Sequence, residues 1–133
     1  MEIAAVVANT ASSHRVSVRT GSTSQSLPVP AKSTGMGSAV NGGEFLMLAL
    51  ATCYCNDLYR EAQRLGIPVQ GVEVEAVAEF PAVGLAATNI RYRAKVRSPA
   101  PLSEVARLIR ETDSVAEVHN TIRAGVPVQL LSQ

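Results

Sequence analysis

The sequence contains few of the residues and motifs that support the commonest enzyme chemistries. It has no tryptophan, two cysteines and two histidines. The motifs GxSxG, HExxH, the P-loop and GxGxxG are all absent, which disfavours the commoner hydrolases, metalloproteases and nucleotide-binding proteins. The pair Cys53 and Cys55 is therefore the first feature to explain.

Charge of one sign is also lacking. Twelve Lys and Arg residues balance eleven Asp and Glu residues, and the basic residues do not cluster with aromatic ones, so we expect no nucleic-acid partner. The longest strongly apolar run, residues 45–51, is too short to cross a bilayer, and the N-terminus lacks the pattern of a signal peptide. We expect a cytoplasmic protein without a membrane partner, whose cysteines are kept reduced.

Length and hydrophobicity predict one domain over residues 1–133, since 47% hydrophobic residues in a chain of this size can form a core. Alternating apolar residues predict strands at residues 3–7, 14–20 and 25–29, and a Gly- and Ser-rich loop follows at residues 32–43. Two further alternating segments, residues 71–80 and 89–98, predict an antiparallel hairpin with an acidic row beside a basic row on its outer face.

A long helix is predicted between the strands and the hairpin. Asn41 and Glu44 have the spacing of a capping box, and no Pro or Gly interrupts the chain from there until Gly66. The first half of this helix, residues 45–52, is apolar on every face. Such a helix must be covered on all sides, so we expect a second subunit to cover part of it in a homodimer.

The rest of the sequence predicts a short amphipathic helix from Leu102 to about Ile109 and a second helix that begins with a capping box of Ser114 and Glu117. A final strand is predicted at residues 126–131. Strands, a helix, a hairpin, two helices and a strand make an α+β fold rather than a βαβ repeat.

Helix geometry separates the two cysteines. Side chains at positions i and i+2 point about 200° apart, so Cys53 and Cys55 do not form an internal disulfide or bind one metal ion together. Considered alone, the two cysteines are best explained as buried packing residues. His14 and His119 are the only histidines, and their spacing does not place either beside Cys53; a zinc site of one cysteine with Asp57 or His119 is the least favoured alternative.

The segments NGGEFLMLALATCYCNDLYREA and VHNTIRAGVPV resemble the OsmC/Ohr family of osmotically induced and organic hydroperoxide resistance proteins. The resemblance implies antiparallel sheets around a long buried helix, an intertwined homodimer, and peroxide reduction near the subunit interface without metal or other cofactor. It assigns Cys53 as the peroxidatic cysteine, whose thiolate attacks the peroxide and becomes a sulfenic acid. It also implies an Arg held by a Glu near this cysteine, for which Arg15 and Glu44 are the candidates.

Three positions depart from the family pattern. Ala116 stands where the peroxidases of the family carry a resolving cysteine, Glu44 is one position closer to the cysteine than the catalytic Glu, and Cys55 is an addition. From the resemblance we expect a peroxidase that reduces organic hydroperoxides or hydrogen peroxide through Cys53. Because Ala116 leaves no resolving thiol, we expect an external thiol to recycle it. The alternative is a non-catalytic dimeric protein that holds a small hydrophobic ligand at the subunit interface.

Overall fold

The computed structural model describes all 133 residues and has the predicted α+β architecture, with five strands and three helices. The elements are β1 (Ile3–Asn9), β2 (His14–Thr20), β3 (Thr23–Leu27), α1 (Gly42–Leu65), β4 (Gly71–Glu79), β5 (Thr88–Arg97), α2 (Leu102–Val115) and α3 (Glu117–Arg123). The chain divides into two compact units, Met1–Phe45 and Leu46–Gln133. None of the three helices combines the length and the apolar character that a membrane crossing requires.

The first unit is built on an antiparallel sheet with the strand order β1-β2-β3. Val16 is the buried centre of this sheet and pairs with Val7 on β1 and with Leu27 on β3. The loop that follows β3 is held by a bridge between Ala31 and Ser38, and the Gly37 N–H donates to Asn9 Oδ1 at 3.1 Å. The three predicted strands are confirmed, although β3 begins two residues earlier than the alternation indicated.

The capping box at the start of α1 is confirmed. The Glu44 N–H donates to Asn41 Oδ1 at 2.8 Å, and the Asn41 N–H donates to Glu44 Oε1 at 3.2 Å, so each side chain satisfies a backbone donor of the other residue. The helix ends at Leu65, where Gly66 takes a φ of 68° that a residue with a side chain rarely adopts. The helix boundaries therefore follow from local sequence chemistry.

In the second unit, β4 and β5 form the predicted antiparallel hairpin. The register places Val72 opposite Val96 and Ala76 opposite Tyr92 on the inner face. On the outer face, Glu73 lies opposite Lys95 with 3.8 Å between their charged groups. Both side chains are largely exposed, so this pair contributes little to stability, on the order of 0–1 kcal/mol.

The core of the second unit forms around one face of α1. Tyr54, Leu58 and Ala62 recur at intervals of four residues and pack with Leu108 of α2 and with Ala116. The inner face of the hairpin packs against this cluster through Val72, Val74, Tyr92, Ala94 and Val96. The second half of α1 is thus fixed by a continuous apolar contact.

Two local predictions are wrong. Ser114 does not cap α3, because it lies in the last turn of α2, where its hydroxyl donates to the Glu111 carbonyl at 2.7 Å; Ala116 precedes α3 without a capping side chain. Residues 126–131 do not form a strand, and Val128 and Leu130 are 99% and 97% exposed. Alternating apolar residues favour a strand only where a neighbouring strand supplies hydrogen bonds, and none pairs with this segment.

We expect Leu58→Ala to lower the free energy of unfolding by about 2–5 kcal/mol, because Leu58 is fully buried and its removal leaves a cavity. Urea denaturation followed by circular dichroism measures the change. Leu102→Ala is the control, since Leu102 is 87% exposed and its truncation should change stability by no more than about 0.5 kcal/mol. Equal effects of the two substitutions would contradict this account of the core.

Candidate functional site

Cys53 lies on α1 at the border of the buried face of the helix, and its side chain is half-buried. Asp57 follows one turn later and therefore lies on the same side of the helix. The Cys53 thiol donates a hydrogen bond to Asp57 Oδ2 at a sulfur–oxygen distance of 3.6 Å. Asp57 is only 6% exposed, and its other oxygen, Oδ1, pairs with the Arg60 guanidinium at 2.8 Å.

The start of α3 supplies the other polar groups beside the sulfur, namely the backbone N–H groups of Val118 and Glu117. Burial raises the pKa of the Cys53 thiol most strongly, and the charge and hydrogen bond of Asp57 raise it further. The two N–H groups act in the opposite direction because they favour the thiolate, but the net result is a raised pKa. Cys53 is therefore mainly a thiol at neutral pH.

The resolving cysteine found in the family's peroxidases is absent from this chain. Ala116 occupies that position and is fully buried between α2 and α3. Cys55 is half-buried, and both cysteines are free. Two residues along a helix point to different sides of it, so Cys55 does not replace the missing thiol as an internal partner of Cys53.

Tyr54, which follows Cys53 directly in the chain, forms an aromatic cluster with Tyr92 of β5 and His119 of α3. The Tyr92 and His119 rings meet at a centroid distance of 4.5 Å, and the Tyr54 ring is 4.8 Å from Tyr92 and 5.9 Å from His119. The Tyr54 hydroxyl donates to the Ile109 carbonyl at 2.8 Å, and burial raises its pKa to about 12. Burial and the hydrogen bond to Asp113 also raise the pKa of Tyr92, so both tyrosines are neutral at neutral pH.

His119 is almost completely buried, and neither of its ring nitrogens has a hydrogen-bond partner. Burial lowers its pKa, and the nearby Arg123 lowers it further, so the imidazole is neutral. Asp113 accepts hydrogen bonds from the Tyr92 hydroxyl and from Arg123 at 2.7 Å. Burial alone would raise the pKa of Asp113, but these two partners outweigh it and lower the pKa.

The other predicted site residues, Glu44 and Arg15, belong to the first unit. Glu44 is exposed and forms the capping box described above, whereas Arg15 is exposed on β2, between His14 and the buried Val16. Within its own unit, Cys53 is instead associated with Asp57 and the start of α3. No group of three His, Cys, Asp or Glu side chains could hold a metal ion.

Sequence reasoning missed the role of Asp57 as the thiol's hydrogen-bond acceptor, although its spacing of four from Cys53 could have revealed it. The contact of His119 with the two tyrosines carries no comparable signal, because it joins three separate elements. Side chains that meet through tertiary packing are not marked by spacing in the sequence.

Three solved structures are similar to this chain in fold. An OsmC-like protein from Mycoplasma pneumoniae is 18% identical, with a TM-score of 0.65 over 92% of this chain and 86% of that one. An OsmC-like hydroperoxide resistance protein from Jannaschia sp. is 15% identical, with a TM-score of 0.55 over 96% and 86%. An OsmC-like protein of unknown function from Vibrio cholerae is 15% identical, with a TM-score of 0.60 over 91% and 93%.

These identities are low, so the three structures establish a shared fold and no shared activity. No curated protein sequence matches this chain. The sequence model for OsmC-like protein, however, matches residues 35–131, which include α1 with Cys53 and every later helix and strand. The chain therefore belongs to the OsmC-like protein family.

Proposed function

We propose that the protein is a thiol-dependent peroxidase in which Cys53 reduces organic hydroperoxides or hydrogen peroxide. The observation that carries the proposal is the arrangement around the sulfur: a half-buried thiol beside two backbone N–H groups, which also donates a hydrogen bond to the carboxylate of Asp57. A solved structure of the same fold is described as a hydroperoxide resistance protein, which supports the same class of substrate.

The proposed reaction begins with attack of the Cys53 sulfur on one peroxide oxygen. The O–O bond breaks, the attacked oxygen stays on sulfur as a sulfenic acid, and the other oxygen leaves as an alcohol or water after taking up a proton. An external thiol then attacks the sulfenic acid, which forms a mixed disulfide and releases water, and a second thiol restores Cys53. The abundant reduced thiols of the cytoplasm, the proposed location, would serve as reductant.

A second candidate function is a non-catalytic protein that binds a small hydrophobic ligand. The raised pKa of Cys53 favours it, because little thiolate is present at neutral pH to attack a peroxide. The absence of a resolving thiol at Ala116 favours it as well. Direct measurement of Cys53 reactivity separates the two functions.

The proposed assembly is a homodimer. Large apolar side chains remain exposed in the single chain, including Leu48 on the apolar half of α1 at 56%, and Val6, Val7, Val128 and Leu130. Exposed apolar surface of this kind marks protein–protein interfaces. In the proposed dimer, Arg15 would bring positive charge to Cys53 and Glu44 would orient it, as the family resemblance implies.

Addition of cumene hydroperoxide to the reduced protein should add one oxygen to Cys53, or form a mixed disulfide there when a small thiol is present. Intact-mass spectrometry after rapid mixing measures the product. Cys53→Ser should abolish it, and Cys55→Ser, two positions along the same helix, should leave it unchanged. A Cys53 that remains unmodified for minutes would rule out the peroxidase and leave the binding function.

Substitution of Glu44 by Gln separates capping from catalysis, because Gln also fits a capping box but carries no charge. If Arg15 supports the thiolate and Glu44 orients Arg15, Arg15→Ala and Glu44→Gln should each slow oxidation at neutral pH by about tenfold or more. Arg15→Ala removes the positive charge, Glu44→Gln removes the carboxylate that positions it, and loss of one opposite charge shifts a pKa by about one unit or more. Arg19→Ala, on the same strand as Arg15 and paired with Glu2, is the control. Unchanged rates would limit Glu44 to its capping role.

Light scattering at micromolar concentration should give twice the 14.0 kDa mass of the chain. Leu48→Glu should shift the protein toward the monomer, because it places a charge on the apolar half of α1 that the second copy is proposed to cover. Leu102→Glu changes an equally apolar but more exposed residue on α2 and should not alter the mass. A monomeric wild-type protein would contradict the proposed assembly.

A further inference from the structure

We propose that Asp57 accepts the proton of the Cys53 thiol as the sulfur attacks a peroxide and delivers that proton to the departing oxygen. The inference rests on the proposed peroxidase function and adds a catalytic residue to it. It starts from the hydrogen bond that the thiol donates to Asp57 Oδ2 at 3.6 Å, the one side-chain contact that already joins the reacting sulfur to a proton acceptor.

The position of Asp57 is fixed by its surroundings. It is buried on the same face of α1 as Tyr54 and Leu58, which are fully buried. Arg60 holds its Oδ1 at 2.8 Å, so Oδ2 remains free to face the sulfur. A buried carboxylate has few accessible orientations, and the ion pair restricts them further. Asp57 therefore presents one oxygen to the thiol before any substrate binds.

The chemistry explains why a carboxylate would be useful beside a peroxidatic thiol. The sulfur needs to lose a proton to become nucleophilic, and the leaving alkoxide or hydroxide needs to gain one. With Asp57 as the carrier, Cys53–SH and ROOH give Cys53–SOH and ROH with no proton taken from or released to solvent. Oxygen is transferred to sulfur, which is oxidised, and the peroxide is reduced by the same electron pair.

The same carboxylate has the opposite effect on reactions that need only a thiolate. Its negative charge raises the pKa of Cys53 and so decreases the amount of free thiolate at neutral pH. Alkylation by iodoacetamide releases iodide, which requires no proton. Asp57 should therefore slow alkylation and accelerate peroxide reduction. A group that merely suppresses the thiolate would slow both reactions, so comparing the two rates identifies a proton carrier.

The groups around the pair set the pH range of the test. On α1 these are Asp57 and Arg60; α3 contributes the N–H groups of Glu117 and Val118 and the nearby His119, whose charge would interact with Asp57. Burial lowers the pKa of His119, so it remains neutral above pH 6.5. Between about pH 6.5 and 8.5, loss of the Cys53 thiol proton is then the change that the two reactions should report differently.

The test compares wild-type protein with Asp57→Asn, which keeps the shape of the side chain but cannot accept the proton. In wild type, alkylation should increase about tenfold per pH unit, whereas cumene hydroperoxide oxidation should be nearly independent of pH. In Asp57→Asn, alkylation at pH 7 should be faster, while oxidation at pH 7 should be slower by about tenfold or more and should increase with pH. Stopped-flow mixing with mass detection measures both reactions.

Glu104→Gln on α2 is the matched control, since it makes the same kind of change to a carboxylate that pairs with Arg107 and does not contact Cys53 or Arg60. Both of its rates should equal those of wild type. A second measurement covers the case in which Asp57→Asn does not fold. If wild-type oxidation at pH 7 is slower in D2O than in H2O while alkylation is not, the proposal is supported. If Asp57→Asn oxidises faster, or if wild-type oxidation shows no solvent isotope effect, the proposed role of Asp57 is overturned but the peroxidase function is not. A wild-type thiol that alkylates but resists peroxide would overturn the peroxidase function as well.

Discussion

The contact between one face of α1 and the core of the second unit determines the geometry of the candidate site. Tyr54, Leu58 and Ala62 recur every four residues and are held between α2 and the inner face of the β4–β5 hairpin. Burial of three such side chains provides several kcal/mol in total, at roughly 25 cal/mol per Å² of apolar surface. Because Cys53 immediately precedes Tyr54, the same contact fixes the rotation of the helix and places the sulfur at the border of the core.

Burial of this face also brings polar groups into the core, and each has a partner that offsets its cost. Asp57 pairs with Arg60, and Glu61 pairs with Arg64, which continues to Glu111 on α2 at 2.7 Å. The exception is His119, whose two ring nitrogens lack partners, at a cost of about 1–3 kcal/mol for each buried unsatisfied group. Ring contacts with Tyr92, edge to face, and with Tyr54, tilted, offset a part of this cost, about 0.5–1.5 kcal/mol per aromatic pair.

The sequence predicted those features that depend on neighbouring residues. The capping box of Asn41 and Glu44 and the two faces of the β4–β5 hairpin are local patterns, and both are confirmed. Ser114 has the same spacing to Glu117 as Asn41 has to Glu44, but α2 extends through Ser114 and removes it from the capping position. The strand predicted at residues 126–131 fails for a related reason, since a strand depends on a partner that a single segment does not specify.

The candidate site was only partly predictable for the same physical reason. Cys53 was identified from its helix, and Asp57 could have been, because a spacing of four residues is local information. The N–H groups of Glu117 and Val118 reach the sulfur only after α2 and α3 pack onto α1, and no spacing encodes that approach. The prediction that Glu44 and Arg15 support Cys53 also depends on tertiary packing, because Arg15 lies on β2, far from Cys53 in the chain, and Glu44 lies more than two turns before Cys53 on α1.

The opposing groups around Cys53 have a consequence for a site without a second thiol. A thiolate that is always present would react with any electrophile, and without a thiol at position 116 each such event would have to be reversed from outside. Burial and Asp57 keep the sulfur protonated, which suppresses reactions that need only a thiolate. A peroxide differs from other electrophiles because its leaving oxygen requires a proton, and the proposed transfer through Asp57 provides one. The carboxylate that lowers the general reactivity of Cys53 would thus make it selective for peroxides.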